Sequence, residues 1–464
     1  MFNVICLIIS LIVIMILAYR GYSTIITVPI IAMLTVLIIN KGSAHIMANY
    51  TEVYMVGFAN FIKNYFPLFM TGAIFAKLMD EVKYAEAISS FITDKIGKKQ
   101  CILAVVLCGA FLTYGGVSLF VVAFILYPIA ARLFKDADIP KRLIPGAIAL
   151  GSFTFTMTAM PGSPEIQNVI PIKYYGTDTF AAPLIGVSAS LIMLCLGMTY
   201  LMLRAKSAKK NNEGYGNDTI VIASSTENTA HQLPSFIVSV IPILIIFVFN
   251  LFFSKVYYPR IDGSYLEKYN ISLENVSGTW SVIIALVIAD VYIIAVNFKK
   301  IKGLNLILNA GVVDCFKPLI NSSAIIGYGS IIKALPVFIA IQEFIFNMSS
   351  NPIISEALSV NLICGLTASA SGGLEIALNA LAPQYLKMAQ MLNISPSILH
   401  RIASLSSGGL DTLPHNGAVI TTLAICGLTH KESYKDMFVT SVVIPILTTV
   451  IMVTICYFLT INNI

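Results

Sequence analysis

The chain has 464 residues, 57% of them hydrophobic and only 11% charged, against about 25% charged in a soluble globular domain. Lysine and arginine outnumber aspartate and glutamate by 29 to 23, a formal charge of +6, which fits basic loops kept on the cytoplasmic side of a membrane. This balance speaks against a soluble enzyme, a nucleic-acid binder, a disordered chain or a disulfide scaffold, and apolar runs of about 20 residues recur from end to end, as bilayer spanning requires.

Segment 2–18 is apolar, with no basic stretch before it and no convincing cleavage site. It reads as a first span, not a signal peptide. Further spans are predicted at 24–40, 57–79, 143–172, 181–203, 235–253, 279–297, 305–346, 401–428 and 437–460. Two more apolar segments, 101–134 and 357–388, are interrupted near their middles by glycine pairs. Basic residues set the orientation. Lys83, Lys95, Lys98 and Lys99, then Arg204, Lys206, Lys209 and Lys210, then Lys299, Lys300 and Lys302 mark three cytoplasmic loops. The stretch 254–277 mixes both signs, and Tyr257, Tyr258 and Trp280 beside it suit an external interface.

Lys98 and Lys99 precede 101–134, while Lys135, Lys141 and Arg142 follow it. A full span would place one of these clusters outside. A re-entrant hairpin keeps both inside, with its tip near Thr113 to Ser118. The arm 101–113 makes about 20 Å of helix, enough to reach mid-membrane.

Residues 1–203 then give three spans, a hairpin, a broken span and a closing span, and 235–464 give the same series in the opposite orientation. The expected fold is an all-α polytopic membrane protein of two inverted repeats, about ten spans and two re-entrant hairpins, joined by a polar cytoplasmic linker at 204–234. Local sequence agrees. Cys108-Gly109 leads to Gly115-Gly116, and Cys364-Gly365 leads to Gly372-Gly373. The broken spans are interrupted at Met160-Pro161-Gly162-Ser163-Pro164 and at Leu413-Pro414-His415-Asn416-Gly417.

A break inside a membrane helix frees N–H groups at one new end and C=O groups at the other. It is tolerated only where protein or a wet cavity surrounds it, and paired breaks in inverted repeats mark the substrate site of many secondary transporters. Four interruptions therefore define one expected site. The first tip offers Thr113, Tyr114, Gly115, Gly116 and Ser118, and the first broken span Thr156, Thr158, Gly162, Ser163, Gln167 and Asn168. The second tip offers Ser369, Ser371, Gly372, Gly373 and Glu375, and the second broken span Ser406, Ser407, Gly408, Asp411, Thr412, His415 and Asn416. Hydroxyl and amide groups suit a hydroxylated ligand, and backbone N–H groups suit its carboxylate.

Each feature also has a plainer use. Glycine pairs allow close helix packing, serine and threonine bond their own helix, and Tyr114 serves as a packing ring. Ionisable groups at membrane depth are functional by default. Glu375, Asp411 and His415 are the candidates for proton coupling, with a structural ion pair as the alternative for each, and Glu165 also sits at a break. Asp314 and Lys317 read as interfacial; Lys333 has no assignment. Sodium could be the coupling ion instead, since carbonyls and carboxylates bind it. The eight cysteines form no CxxC or zinc-spaced cluster, and no P-loop, HExxH or GxSxG motif occurs. Neither a metal, nor a cofactor, nor an enzyme activity is expected.

The passages FLTYGGVSLFVVAFILYPIAARLF (111–134), GSFTFTMTAMPGSPEIQNVIP (151–171), TASASGGLEIALNALAP (367–383) and LSSGGLDTLPHNGAVITTLAICGLTHKESYKD (405–436) resemble the gluconate:proton symporter (GntP) family of the ion transporter superfamily. The resemblance runs through nearly the whole chain and is weakest in the linker. It implies a bacterial inner-membrane symporter for a small organic anion, a homodimer, and scaffold spans that hold a transport domain moving as an elevator. Sugar-acid permeases of that family often carry a PPHPGP-like stretch where this chain has Met160-Pro161-Gly162-Ser163-Pro164. The departure shifts the likeness from gluconate toward hydroxybutyrate-type and other small carboxylates.

Overall fold

The computed structural model describes residues 2–461 apart from 21, 41–44, 97–99, 118, 217–232, 270, 337, 339–342, 344–348, 368 and 415. All regular structure among the described residues is helical, as it must be where the backbone has no water to bond. The first half forms α1 (Phe2–Tyr19), α2 (Thr24–Ile39), α3 (Met55–Glu81) and α4 (Tyr84–Ile96). A hairpin of α5 (Cys101–Tyr114) and α6 (Leu119–Asp136) follows, then the interrupted pair α7 (Ile144–Ser152) and α8 (Ile166–Tyr175), then α9 (Pro183–Lys210). The second half forms α10 (Phe236–Phe252), α11 (Leu273–Asn297) and α12 (Leu304–Ala334). Its hairpin is α13 (Pro352–Thr367) and α14 (Ala370–Met391), its interrupted pair α15 (Pro396–Ser407) and α16 (Gly417–Ile425), and its last helix α17 (Ile444–Ile461).

The chain is an all-α polytopic membrane protein. Four stretches, Pro183–Lys210, Phe236–Arg260, Leu273–Asn297 and His430–Leu459, are each long and apolar enough to cross a bilayer. Shorter apolar helices include Thr24–Ile39, Cys101–Tyr114 and Pro352–Thr367. Outward faces stay apolar: Ile26, Ile30, Leu34 and Ile38 of α2 are exposed, which suits a lipid environment.

Packing recurs in the two halves. α1 packs on α2 as α10 packs on α11, and α5 packs on α7 as α13 packs on α15. Hairpin arm α6 meets α16 of the other half, as α14 meets α8. The long helices α3 and α12 run against each other, with the Tyr54 hydroxyl just ahead of α3 donating to the Ala324 carbonyl at 3.0 Å.

Two stretches differ from the sequence expectation. The segment read as a cytoplasmic loop contains α4, whose Tyr84, Ala85, Ile88 and Ile92 are buried. Its apolar residues recur at helical spacing among charges, so it packs as an amphipathic helix despite its low mean hydropathy. The span expected over 305–346 ends as a helix at Ala334; most of 337–348 lies outside the described residues, as does much of the linker.

The side read as cytoplasmic is tied by one carboxylate. Buried Asp436 accepts from Arg204 Nε at 2.7 Å and the Tyr200 hydroxyl at 2.8 Å, and also bonds Arg142. Arg142 in turn grips Glu213, with Nε–Oε1 at 2.5 Å and Nη2–Oε2 at 2.9 Å. Those bonds hold the Glu213 carboxyl below its ordinary range. The contact is therefore complete above the usual carboxylate pKa and weakens only as pH falls through the lowered value. Asp436→Asn leaves two guanidinium groups without their shared partner. It should cost about 3 kcal/mol, read as a lower melting temperature of the detergent-purified protein.

Candidate ligand-binding site at the paired helix breaks

The first interruption follows a short turn, Phe155–Thr158, and ends at the start of α8. Gly162 lies in it at φ +82°, a conformation that costs glycine little. A Cβ there would stand 2.5 Å from the Phe180 ring. The Gly162 N–H donates to the Thr179 carbonyl at 2.9 Å, and its carbonyl accepts from Asn250 Nδ2 at 3.3 Å.

Arg401 of α15 answers one carbonyl at the break, Ala159, and two in the loop between α8 and α9, Thr179 and Ala181. It is fully buried. Nη1 donates to Ala159 O at 3.1 Å and to Asn168 Oδ1 at 2.9 Å. Nη2 donates to Thr179 O and Ala181 O at 3.1 and 2.8 Å, and Nε to Ala181 O at 3.0 Å. The planar guanidinium suits several acceptors in one plane. Its neighbour His400 bonds Thr177 Oγ1 through Nδ1 at 2.6 Å and approaches Asn168 Oδ1 through Nε2 at 3.3 Å. One half of the chain thus completes the break of the other. Sequence reasoning passed over both residues. The available signal was an adjacent histidine and arginine within an apolar helical stretch, since ionisable groups at membrane depth need partners.

The structure links the expected elements in series. Tyr114 at the first tip donates to Pro161 O at 3.0 Å, and Gly116, at φ +86°, faces Pro164. Thr158 ends the turn before the first break and lies against Gly408 at the second, where an added Cβ would stand 2.8 Å from Thr158 Cγ2. Ser404 Oγ donates to Thr158 O at 2.7 Å. Arm α13 reaches the second break through Asn361, beside Gly409, and Gly365, beside Leu410. The second tip faces elsewhere: Ser371 meets Ser322 of α12 at 3.3 Å, Gly372 faces Ile325, and Gly373 packs on Cys364 of its own hairpin. Gly115 faces Ile243 of α10. Ser118 and His415 lie outside the described residues.

Many of the expected polar groups hold the backbone. Thr158 Oγ1 donates to Thr154 O, Thr156 Oγ1 to Gly151 O, and Ser407 Oγ to Ser404 O. Ser163 Oγ accepts from Glu165 N, and Ser369 caps α14 by accepting from Gly372 N. Asn168 Nδ2 bridges Ser163 O and Thr179 O. Asn416 caps α16 and returns Nδ2 to Asp411 O at 2.9 Å, and Thr412 Oγ1 bonds Ser441. Others are buried with no hydrogen-bond partner among the described residues: Thr113 Oγ1, Ser152 Oγ, Gln167 Oε1, Asn361 Oδ1, Ser406 Oγ and Asp411 Oδ1. Ser152 and Asn361 were not among the expected site residues.

Glu375 is placed apart, toward α3 and α8. It accepts from the Tyr65 hydroxyl at 3.1 Å and the Tyr174 hydroxyl at 2.7 Å, with Lys173 Nζ 3.8 Å away. The next residue, Tyr175, bonds Glu356 of α13. No group of three or more His, Cys, Asp or Glu residues able to hold a metal ion occurs among the described residues.

No protein-family model matches the chain. An uncharacterized transporter of Bacillus subtilis (strain 168), YxjC, is 42% identical over 436 residues, covering 91% of this chain and 92% of that protein. An uncharacterized transporter of Haemophilus influenzae is 27% identical over 210 residues, 44% of this chain and 47% of that protein. Among solved structures the fold is similar to the Alcanivorax borkumensis YdaH transporter, with a TM-score of 0.58 at 12% identity over 87% of each chain.

Arg401→Met takes the side-chain donor from the carbonyls of Ala159 and Ala181, while Thr179 O keeps the Gly162 N–H and Asn168 Nδ2. It should cost about 3–5 kcal/mol, the scale for removing one partner of a buried charged set. Arg401→Lys should recover only part of this, because an ammonium cannot span the same acceptors. Thermal unfolding of the two variants beside wild type measures both effects.

Proposed function

The chain belongs to the family of the transporter YxjC, and from that premise we propose that it imports a small organic anion together with protons. The ligand is a sugar acid or hydroxy carboxylate, such as gluconate or 3-hydroxybutyrate, held where the two interrupted helices meet. The resemblance of the four sequence passages to gluconate:proton symporters supports this class. So does the similar packing of the two halves, which we take as inverted repeats of a homodimeric elevator in the bacterial inner membrane.

The observation that carries the proposal is the set of buried polar atoms without hydrogen-bond partners among the described residues on the elements that carry the first tip and the two breaks: Thr113 Oγ1 and Ser152 Oγ in the first half, Ser406 Oγ and Asp411 Oδ1 in the second. Each such atom costs about 1–3 kcal/mol if left unpaired. A hydroxylated carboxylate supplies hydroxyl groups to satisfy them. Asp411 gives the coupling a physical reason. An anion beside an ionised Asp411 meets like charge, and a proton on Asp411 removes that repulsion, so anion and proton favour each other's binding. Glu375 is the second proton-carrying group in this scheme.

Purified protein in liposomes should accumulate radiolabelled gluconate or 3-hydroxybutyrate under an inward proton gradient and lose accumulation with a protonophore. Uptake that ignores protons and follows sodium would assign the coupling to sodium. Flux without saturation or counterflow would indicate a channel. Asp411→Asn should abolish gradient-driven accumulation while exchange of internal for external anion persists.

A further inference from the structure

A second polar site lies away from the helix breaks. A cavity of about 460 Å³ opens between α3, α12, α14 and the end of α8, within the size range of small-molecule sites. Its walls carry two lysines, Lys173 and Lys333, two acids, Glu52 and Glu375, and the amides of Asn60, Asn64 and Asn379. Two lysines here line one space.

The donors in this cavity are mostly unused. Lys333 Nζ donates to the Asn379 carbonyl at 3.0 Å and to its Oδ1 at 3.3 Å, and to no carboxylate among the described residues. One of its three N–H bonds is left over. Lys173 Nζ stands 3.8 Å from Glu375, outside hydrogen-bond range. Glu375 also accepts from the Tyr65 and Tyr174 hydroxyls; the Lys173 ammonium is ion-paired with it and stands 5.2 Å from the Tyr174 ring centroid, but makes no hydrogen bond to another described residue, so its N–H donors remain available to a ligand. The amides of Asn60 and Asn64 make no side-chain hydrogen bond to another described residue. The remaining acid in the lining, exposed Glu52, is not paired with either lysine among the described residues.

We propose that this cavity is a binding site for a small hydroxylated carboxylate, with Lys333 and Lys173 holding the carboxylate and the amides of Asn60 and Asn64 holding its hydroxyl groups. It is distinct from the site at the breaks. The choice of ligand class rests on the transport proposal, whereas the anion preference of the cavity stands without it. Charge-assisted bonds from two ammonium groups give the carboxylate its hold, and amides can both donate to and accept from hydroxyls.

Val56 lines the same cavity, is exposed, and takes no part in the proposed binding. In purified full-length Val56→Cys protein, labelling is counted above that of protein without the change. Relative to a free thiol, the anionic reagent methanethiosulfonate ethylsulfonate should outpace its cationic trimethylammonium counterpart by about tenfold. Adding Lys173→Gln and Lys333→Gln should remove the preference, and the two arginine substitutions should keep it. Gluconate or 3-hydroxybutyrate should slow labelling with the lysines present and not in the double glutamine variant. Preference for the cationic reagent, or failure of both carboxylates to protect, overturns the proposal. The wild-type lysine background decides this even if the double variant does not fold. Asp411→Asn should lose proton-driven uptake and still show protection, which separates this site from the transport proposal.

Discussion

A backbone carbonyl freed inside a membrane has no water to turn to, and that constraint organises this molecule. Each interruption leaves acceptors that must be answered from within the protein. At the first break the answer is Arg401, fully buried, whose guanidinium gathers the carbonyls of Ala159, Thr179 and Ala181 and the amide oxygen of Asn168. At the second break the answer is more local: Asn416 caps the helix that resumes and bonds back to Asp411. One break is completed by a distant residue of the other half, the other by its own turn together with Tyr434 and His430, which reach the carbonyls of Thr412 and Pro414.

Much of the architecture was legible in the sequence because membrane insertion leaves a coarse signal. Apolar runs, glycine pairs and proline clusters mark an all-α polytopic chain, and helices of the structure start or stop near Gly115-Gly116, Pro161 and Pro414. Helix α4 escaped because its mean hydropathy is low; only the spacing of Tyr84, Ala85, Ile88 and Ile92 gives it away. The helix beginning at Leu304 ends at Ala334, short of the expected 346, and most of 337–348 lies outside the described residues.

The candidate site was legible as a set of residue types and less so as a set of roles. Thr158, Ser163, Asn168, Ser369 and Asn416 lie at or beside the interruptions and are used to hold backbone. A hydroxyl near a break looks the same in sequence whether it bonds its own helix or is left free. Thr113 and Asp411 were named, while Ser152 and Asn361 were not, because their neighbours Gly109, in α5, and Gly409, in the turn after α15, are distant in sequence. Lys333, without an assignment in sequence, gains one only when α3, α12 and α14 are seen to enclose a common space.

The long reach of Arg401 also bears on how the protein is made. Its bond to Asn168 joins residues 233 positions apart. At translation rates of about 5–20 residues per second, roughly 10–50 s separate the synthesis of the two. Throughout that interval the nascent first half carries carbonyls that its own sequence does not satisfy. The insertion machinery, or water it admits, must shelter them, so the newborn amino-terminal half is a waiting partner and its maturation is timed by the arrival of α15.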